Sequence, residues 1–219
     1  MIAATSDYLM PSALTLSSLP LFPLSAVLFP DGFLPLRVFE VRYLDMIGKC
    51  HKADAPFGVV YLTQGAEVRL PGASETFCDV GTLASITELE NPQPGLMQIH
   101  CTGAQRFRIT RRERLKHGLW VADVQRIDGD MTVPVPDDLR GTAEALRQLI
   151  QTLQSRDLSL ERMPLQPPWR LDDCGWVANR WCELLPLPAE LKQRLMTLDN
   201  PLVRLELVSD LLARTGMSP

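Results

Sequence analysis

Four prolines interrupt the most apolar stretch of the chain, residues 19–36: Pro20, Pro23, Pro30 and Pro35. A proline has no backbone N–H, and its ring clashes with the preceding helical turn, so this stretch cannot cross a membrane as a helix. It cannot lie at the centre of a sheet either, where each N–H serves a neighbour. What remains is a pair of short strands at an edge, a bulge or a barrel rim. Residues 19–24 and 33–39 read as those strands, divided by the turn Pro30-Asp31-Gly32.

The residues that follow keep the strand character to about residue 127. Apolar or alternating runs predict strands at 57–62, 81–89, 95–102, 105–110 and 119–127, with Asn91-Pro92-Gln93-Pro94-Gly95 as a hairpin-like connection. One helix interrupts them, since Val41, Leu44, Ile47 and Cys50 recur at helical spacing. Several short strands with one inserted helix point to a small mixed barrel. Gly129, Pro134 and Pro136 mark residues 128–138 as a linker. Helical periodicity then takes over. Leu139, Ala143, Leu146, Ile150 and Leu153 form one stripe, and Pro164, Pro167 and Pro168 break the pattern. Val177, Trp181, Leu184 and Leu185 follow, begun by Asp172 or Asp173 as N-cap, then Leu191, Leu195 and Leu198. Asn200-Pro201 opens a last helix carrying Leu205, Val208, Leu211 and Leu212, with Gly216 as its stop. The expected organisation is α+β: a Ser/Thr-rich arm at 1–17, a barrel at 18–127, the linker, and a helical bundle at 139–219. Of Trp176 and Trp181, five residues apart, one is expected to face the barrel and the other to stand exposed as a partner anchor, unless both are buried between barrel and helices.

Chemistry is constrained mainly by what the chain lacks. No P-loop, G-x-S-x-G or H-E-x-x-H pattern occurs. The five cysteines are scattered with no C-x-x-C pair, so neither a disulfide framework nor a metal site is indicated, and they suit a reducing cytoplasm. No Lys or Arg precedes Arg37, which removes the basic region of a secretory signal. Cys50-His51 and His100-Cys101 suggest a nucleophile and base, but neighbours on a strand point to opposite faces. The reading is a protein with no catalytic residues, metal or cofactor.

Charge is distributed unevenly. The formal net charge is -4, yet Arg106, Arg108, Arg111, Arg112, Arg114 and Lys116 lie within eleven residues. On a strand, Arg106, Arg108 and Thr110 share one face, and Phe107 and Ile109 the buried other. The run is either a solvated face or a patch for RNA, phosphate or an acidic peptide; the acidic balance and the lack of interleaved aromatics weigh against nucleic acid. The second distinctive segment is Arg37-Val38-Phe39-Glu40-Val41-Arg42-Tyr43, a strand-to-helix corner. Phe39 and Glu40 are read as its structural residues, with Glu40 at the positive helix N-terminus. Arg37, Arg42 and Tyr43 could face a partner.

These residues, taken in order, resemble the N-terminal domain of Lon ATP-dependent proteases. The resemblance is carried by Leu19-Pro20-Leu21-Phe22-Pro23-Leu24, Val27-Leu28-Phe29-Pro30, Leu34-Pro35-Leu36-Arg37-Val38-Phe39-Glu40 and Arg42-Tyr43. It continues through Pro56-Phe57-Gly58-Val59-Val60, Val80-Gly81-Thr82-Leu83-Ala84, Gly103-Ala104-Gln105-Arg106-Phe107-Arg108-Ile109, Leu185-Pro186-Leu187-Pro188 and Leu198-Asp199-Asn200-Pro201. It implies a PUA-like β-barrel followed by a helical bundle, a domain that helps recognise unfolded or tagged substrates. The chain stops where the ATPase and proteolytic modules of that family would follow, so a non-enzymatic, cytoplasmic binding or adaptor module is expected. Its partners would be unfolded or extended polypeptide and a protease or chaperone machine, with Phe33, Arg37, Arg42, Tyr43, Arg106 and Arg108 as candidate contacts. The competing expectation is an RNA- or nucleotide-binding PUA-like protein using residues 106–116.

Overall fold

The computed structural model describes residues 15–68, 74–155 and 164–215. Among these are six strands: β1 (Thr15–Leu24), β2 (Phe33–Val38), β3 (Phe57–Gln64), β4 (Thr76–Gln93), β5 (Leu96–Arg114) and β6 (Trp120–Arg126). They form one mixed sheet in the order β2-β5-β4-β3-β1-β6. β1 and β3 pair in parallel, and the remaining neighbours are antiparallel. The C-terminal half of β5 also pairs with β6, from Phe107↔Arg126 to Arg114↔Trp120, which closes five strands into a ring. β2 lies outside that ring, on the N-terminal half of β5. The fold is α+β, and no helix among the described residues is long and apolar enough to cross a membrane.

Two strands are longer than their periodicity predicts. Residues 95–102 and 105–110 are one strand, β5, and β4 runs on to Gln93. Register shifts near Thr82–Ala84 and Ile86–Glu88 bend the pair without breaking it, so polar residues that read as strand ends are accommodated in bulges. Gly103 sits at the bend because the Phe29 carbonyl presses against it; a Cβ there would lie 2.1 Å from that oxygen. The hairpin closes through Pro94-Gly95, with Gly95 at φ 78. β1 begins at Thr15, inside the segment expected as an arm, while residues 1–14 lie outside the described residues, as does Gly216.

Helix α1 (Val41–Ala53) buries Tyr43, Met46, Ile47 and Cys50 against the open end of the barrel. Val41 is 73% exposed, which corrects the stripe expected from its spacing: the buried face is turned toward Tyr43. The helix ends at Asp54 in the left-handed region, φ 48, where Ala55 N–H bonds the Cys50 carbonyl at 2.9 Å.

The remaining helices are α2 (Arg140–Ser155), α3 (Cys174–Leu184), α4 (Ala189–Met196) and α5 (Pro201–Arg214). Leu139 belongs to a short 3-10 turn ahead of α2. The N-caps follow the sequence: Asp173 accepts from Gly175 N–H at 3.0 Å, and Asn200 accepts from Leu202 and Val203 N–H at 3.0 and 3.3 Å. Both Trp176 and Trp181 are buried, so neither is the exposed anchor. Trp181 Nε1 donates to the Thr142 carbonyl at 3.0 Å, and Trp176 meets Trp169 edge-on at 6.2 Å. The segment read as a linker is strapped to α3: Val135 N–H bonds the Asp172 carbonyl and Cys174 N–H the Val133 carbonyl.

Candidate functional site

The proline reading places an open edge at β2, and the backbone geometry shows what that edge offers. Asp31, at φ 57, and Gly32 lie opposite Gly103 as a bulge. Asp31 N–H donates to the Gly103 carbonyl at 2.7 Å, and Gly103 N–H donates to the Gly32 carbonyl at 2.8 Å. The register then runs Phe33↔Thr102 to Val38↔Met97. Hydrogen-bonded pairs alternate along an antiparallel ladder, so Leu34, Leu36 and Val38 bond to β5. Phe33, Pro35 and Arg37 turn their backbone groups away from it. β2 has no other strand partner among the described residues. Its free edge therefore presents three carbonyls and two N–H groups, with the missing donor at Pro35 in the middle.

Beside this edge lies a groove of about 170 Å³ lined by Phe22, Leu24, Pro35–Glu40, Tyr43, Glu67 and Val68. Its floor is apolar: Tyr43 stacks on Phe22 with ring centroids 4.0 Å apart. Phe39 is 55% exposed and Val68 46% exposed at its rim. Phe39 is thus a surface residue of the corner, and Tyr43 is the aromatic that plugs it. Burial holds the Tyr43 hydroxyl far above the usual phenol range, so it stays neutral. Glu40 caps α1 through its carbonyl, which accepts from Tyr43 and Leu44 N–H at 2.9 Å each.

Arg37 is exposed and lines the groove; Phe33 is half-buried, with its ring 5.1 Å from His100. Arg42 is buried, against the expectation of a partner contact. It bonds the Gly118 carbonyl at 2.9 Å, pairs with Glu40 at 3.3 Å and Glu75 at 3.5 Å, and covers the Tyr43 ring at 4.5 Å. It ties α1 to the loops on either side. Phe22, Glu67 and Val68 were not read as site residues, because they come from β1 and from the segment after β3.

The basic run does not assemble into one patch. Arg106 is buried and bonds the Met196 and Leu198 carbonyls at 2.9 and 3.2 Å, so the helices cover it and it is no surface contact. Arg108, on the same strand face, is exposed. Arg112 pairs with Asp79 at 3.4 Å over Phe77, and Arg114 with Glu75 at 3.8 Å over Trp120. Arg111 reaches Glu113 at 3.9 Å. His100 bonds Glu88 at 2.6 Å, while the adjacent Cys101 is fully buried. Burial pushes the Cys101 and Cys182 thiols up to about 12 and raises Cys50, Cys78 and Cys174 as well, which disfavours thiolate chemistry at each.

The turn that feeds β2 is fixed by α3. The buried Arg180 donates to the Pro30 carbonyl at 2.8 Å and to the Asp31 carbonyl, and its Nε lies 2.8 Å from Glu183. Burial pushes Glu183 up to about 7, against the pull of Arg180 and Lys192 and with added repulsion from Asp31. A carboxyl that holds its proton more tightly when folded loses stabilising power as pH rises from its ordinary 4.5 to about 7. Stability should therefore fall across that window by on the order of 3 kcal/mol from this group and level off above it. Urea unfolding of Glu183→Gln and of the parent protein at pH 5 and pH 8 measures the difference; parallel pH profiles would show that Glu183 ionises normally.

The family profile described as ATP-dependent protease La (LON) substrate-binding domain matches residues 18–214. A Lon N-terminal domain protein from Xanthomonas campestris, known from its crystal structure, is 30% identical with a TM-score of 0.67. That match covers 90% of this chain and 98% of the other. The N-terminal domain of Mycobacterium avium complex Lon protease shares the fold at 17% identity and a TM-score of 0.55, over 88% of this chain and 96% of that one. None of the curated proteins matches the chain. With the profile running from β1 to the end of α5, this chain belongs to the family of ATP-dependent protease La (LON) substrate-binding domains.

Proposed function

We propose that this domain is a non-enzymatic binding module that holds an extended polypeptide segment along the free edge of β2, with an apolar side chain of that segment in the adjoining groove. The observation that carries the reading is the edge itself: outward backbone groups at Phe33, Pro35 and Arg37 beside a groove floored by Phe22 and Tyr43. Main-chain bonds give such an edge affinity for many sequences, and a pocket for alternate side chains gives selectivity. A module of this kind would serve a separate ATPase, protease or chaperone machine in the cytoplasm by presenting unfolded segments to it. Phe33, Arg37, Phe39 and Val68 are the proposed contacts; Arg108 lies on a different strand, away from the groove.

The test uses a proline where β5 will not notice it. Arg37 turns its N–H outward, so Arg37→Pro removes one of the two remaining edge donors and leaves the β5 ladder intact. Binding to reduced, carboxymethylated α-lactalbumin, read by fluorescence anisotropy, should weaken about tenfold. Arg37→Ala keeps the backbone donor and should stay within about threefold of the parent protein. Equal binding by Arg37→Pro and the parent, with unchanged circular dichroism, would refute strand addition at β2.

A further inference from the structure

We infer that Pro35 sets the selectivity of this edge, admitting an extended segment of another chain while rejecting a second copy of β2. The inference rests on the proposed strand addition and adds a rule about which partner the edge accepts.

Two copies of one edge meet about a two-fold axis and run antiparallel. Each copy then contributes the gap left by its own Pro35. When the axis passes between the two Pro35 residues, Phe33 faces the partner's Arg37, and each Pro35 faces its counterpart. Neither Pro35 has an N–H, so each Pro35 carbonyl points at the partner's proline nitrogen and finds no donor there. Sliding the register by two residues sets Pro35 against the partner's Arg37 and forfeits one bond at each end of the pair. Every self-pairing that overlaps at two or more of these outward residues therefore loses two bonds.

A foreign strand meets a single gap. Its own N–H reaches the Pro35 carbonyl, and only its carbonyl opposite the Pro35 nitrogen goes without a partner. The edge, with three outward carbonyls and two outward N–H groups, is acceptor-rich, and an occupant that supplies donors along its whole length complements it. The position of the proline also matters. At either end of β2 it would remove a terminal bond that a self-pair could avoid by slipping, whereas at the middle outward position it lies within every register that pairs two or more outward residues. The alternation that turns Leu34 and Leu36 toward β5 leaves Pro35 with no ladder bond to break, so the fold tolerates it there.

Pro35→Val restores the missing donor in a residue suited to a strand. Sedimentation equilibrium of the whole chain, 24.5 kDa, should show the parent protein as a monomer and the variant dimerising about thirtyfold more tightly. Adding Arg37→Pro to Pro35→Val moves the gap to the end of β2, where the pair can slip past it, and should cancel only part of that gain. The same variant should bind reduced, carboxymethylated α-lactalbumin about fivefold more tightly below its dimerisation range, since one bond is regained. A monomeric, folded Pro35→Val protein with unaltered lactalbumin binding would overturn the inference. If the parent protein binds lactalbumin, Arg37→Pro weakens it and Pro35→Val stays monomeric, the proposed function stands and the role of Pro35 falls. If no variant and no parent protein binds lactalbumin yet Pro35→Val dimerises, the exclusion of self stands and the proposed function falls.

Discussion

Replacing Asp130 by alanine should destabilise the domain by about 3–5 kcal/mol, among the largest effects any single polar side chain here can have. Asp130 is the counter-charge shared by two buried guanidinium groups. Its Oδ1 lies 3.1 Å from Arg106 of β5, and its carboxylate also pairs with Arg204 of α5. Arg106 spends its remaining donors on the Met196 and Leu198 carbonyls; Arg204 donates to the Leu195 carbonyl and to Asn179, each at 3.0 Å. The barrel, the segment before α2 and the helical half thus meet at one carboxylate. Without it, two cations held out of water face each other, and among the described residues the remaining acid paired with Arg106 is the exposed Asp199, at 3.4 Å. Burial already lowers the Arg106 pKa, with Arg204 pushing the same way and Asp130 opposing both. Asp130→Asn keeps the shape and one acceptor but no charge, so it should recover less than half of the loss. The midpoint of urea unfolding, at constant slope, gives the number. A loss under 1 kcal/mol would mean that the backbone carbonyls alone suffice for the two arginines.

Arg106 also shows where sequence reading stops. Its place on a strand face beside Arg108 was legible, and the two do share that face. Which part of the face the helices cover was not, because the Met196 and Leu198 carbonyls come from some ninety residues away. Local signals fared better. Asn200-Pro201 and Asp173 mark helix starts through bonds made within three residues, and Pro35 marks an edge because the constraint is in the backbone itself; Pro20 and Pro23 do not, since β1 pairs with β3 on one side and β6 on the other, which corrects the edge expected for 19–24. Val41 misled because helical spacing fits several stripes, and packing against the barrel selected the one through Tyr43. For the groove, Arg37, Phe39, Glu40 and Tyr43 were legible as one corner. Phe22 and Val68 join them only once β1 and the segment after β3 are folded alongside. That Pro35 faces outward needed the register, which no local pattern specifies.

Phe107→Ala should cost a further order of 3–5 kcal/mol, because this ring fills the closed part of the sheet. Phe107 is fully buried and packs with Leu19, Leu21, Val60, Leu83 and Val124. Two glycines make room for it: a Cβ at Gly58 would lie 2.8 Å from its Cζ, and one at Gly81 2.7 Å from the same atom. The two differ in what else they touch. At Gly81 the new Cβ would also meet the Val59 backbone oxygen at 2.3 Å, and a ladder carbonyl cannot move aside. At Gly58 its other neighbours are the tips of Leu21 and Leu19, at 2.7 and 3.0 Å, which can shift once the ring is gone. In the Phe107→Ala background, Gly58→Ala should therefore restore about 1 kcal/mol by filling part of the void, whereas Gly81→Ala should destabilise further. In the parent protein both substitutions should destabilise. Urea unfolding of the two double-variant cycles separates the cases, and equal behaviour of Gly58→Ala and Gly81→Ala beside Phe107→Ala would show that the sheet yields at both positions. The difference, if found, locates the rigid side of the barrel at the Val59–Gly81 ladder and its adaptable side at the leucines of β1, the strand whose far end floors the groove beside β2.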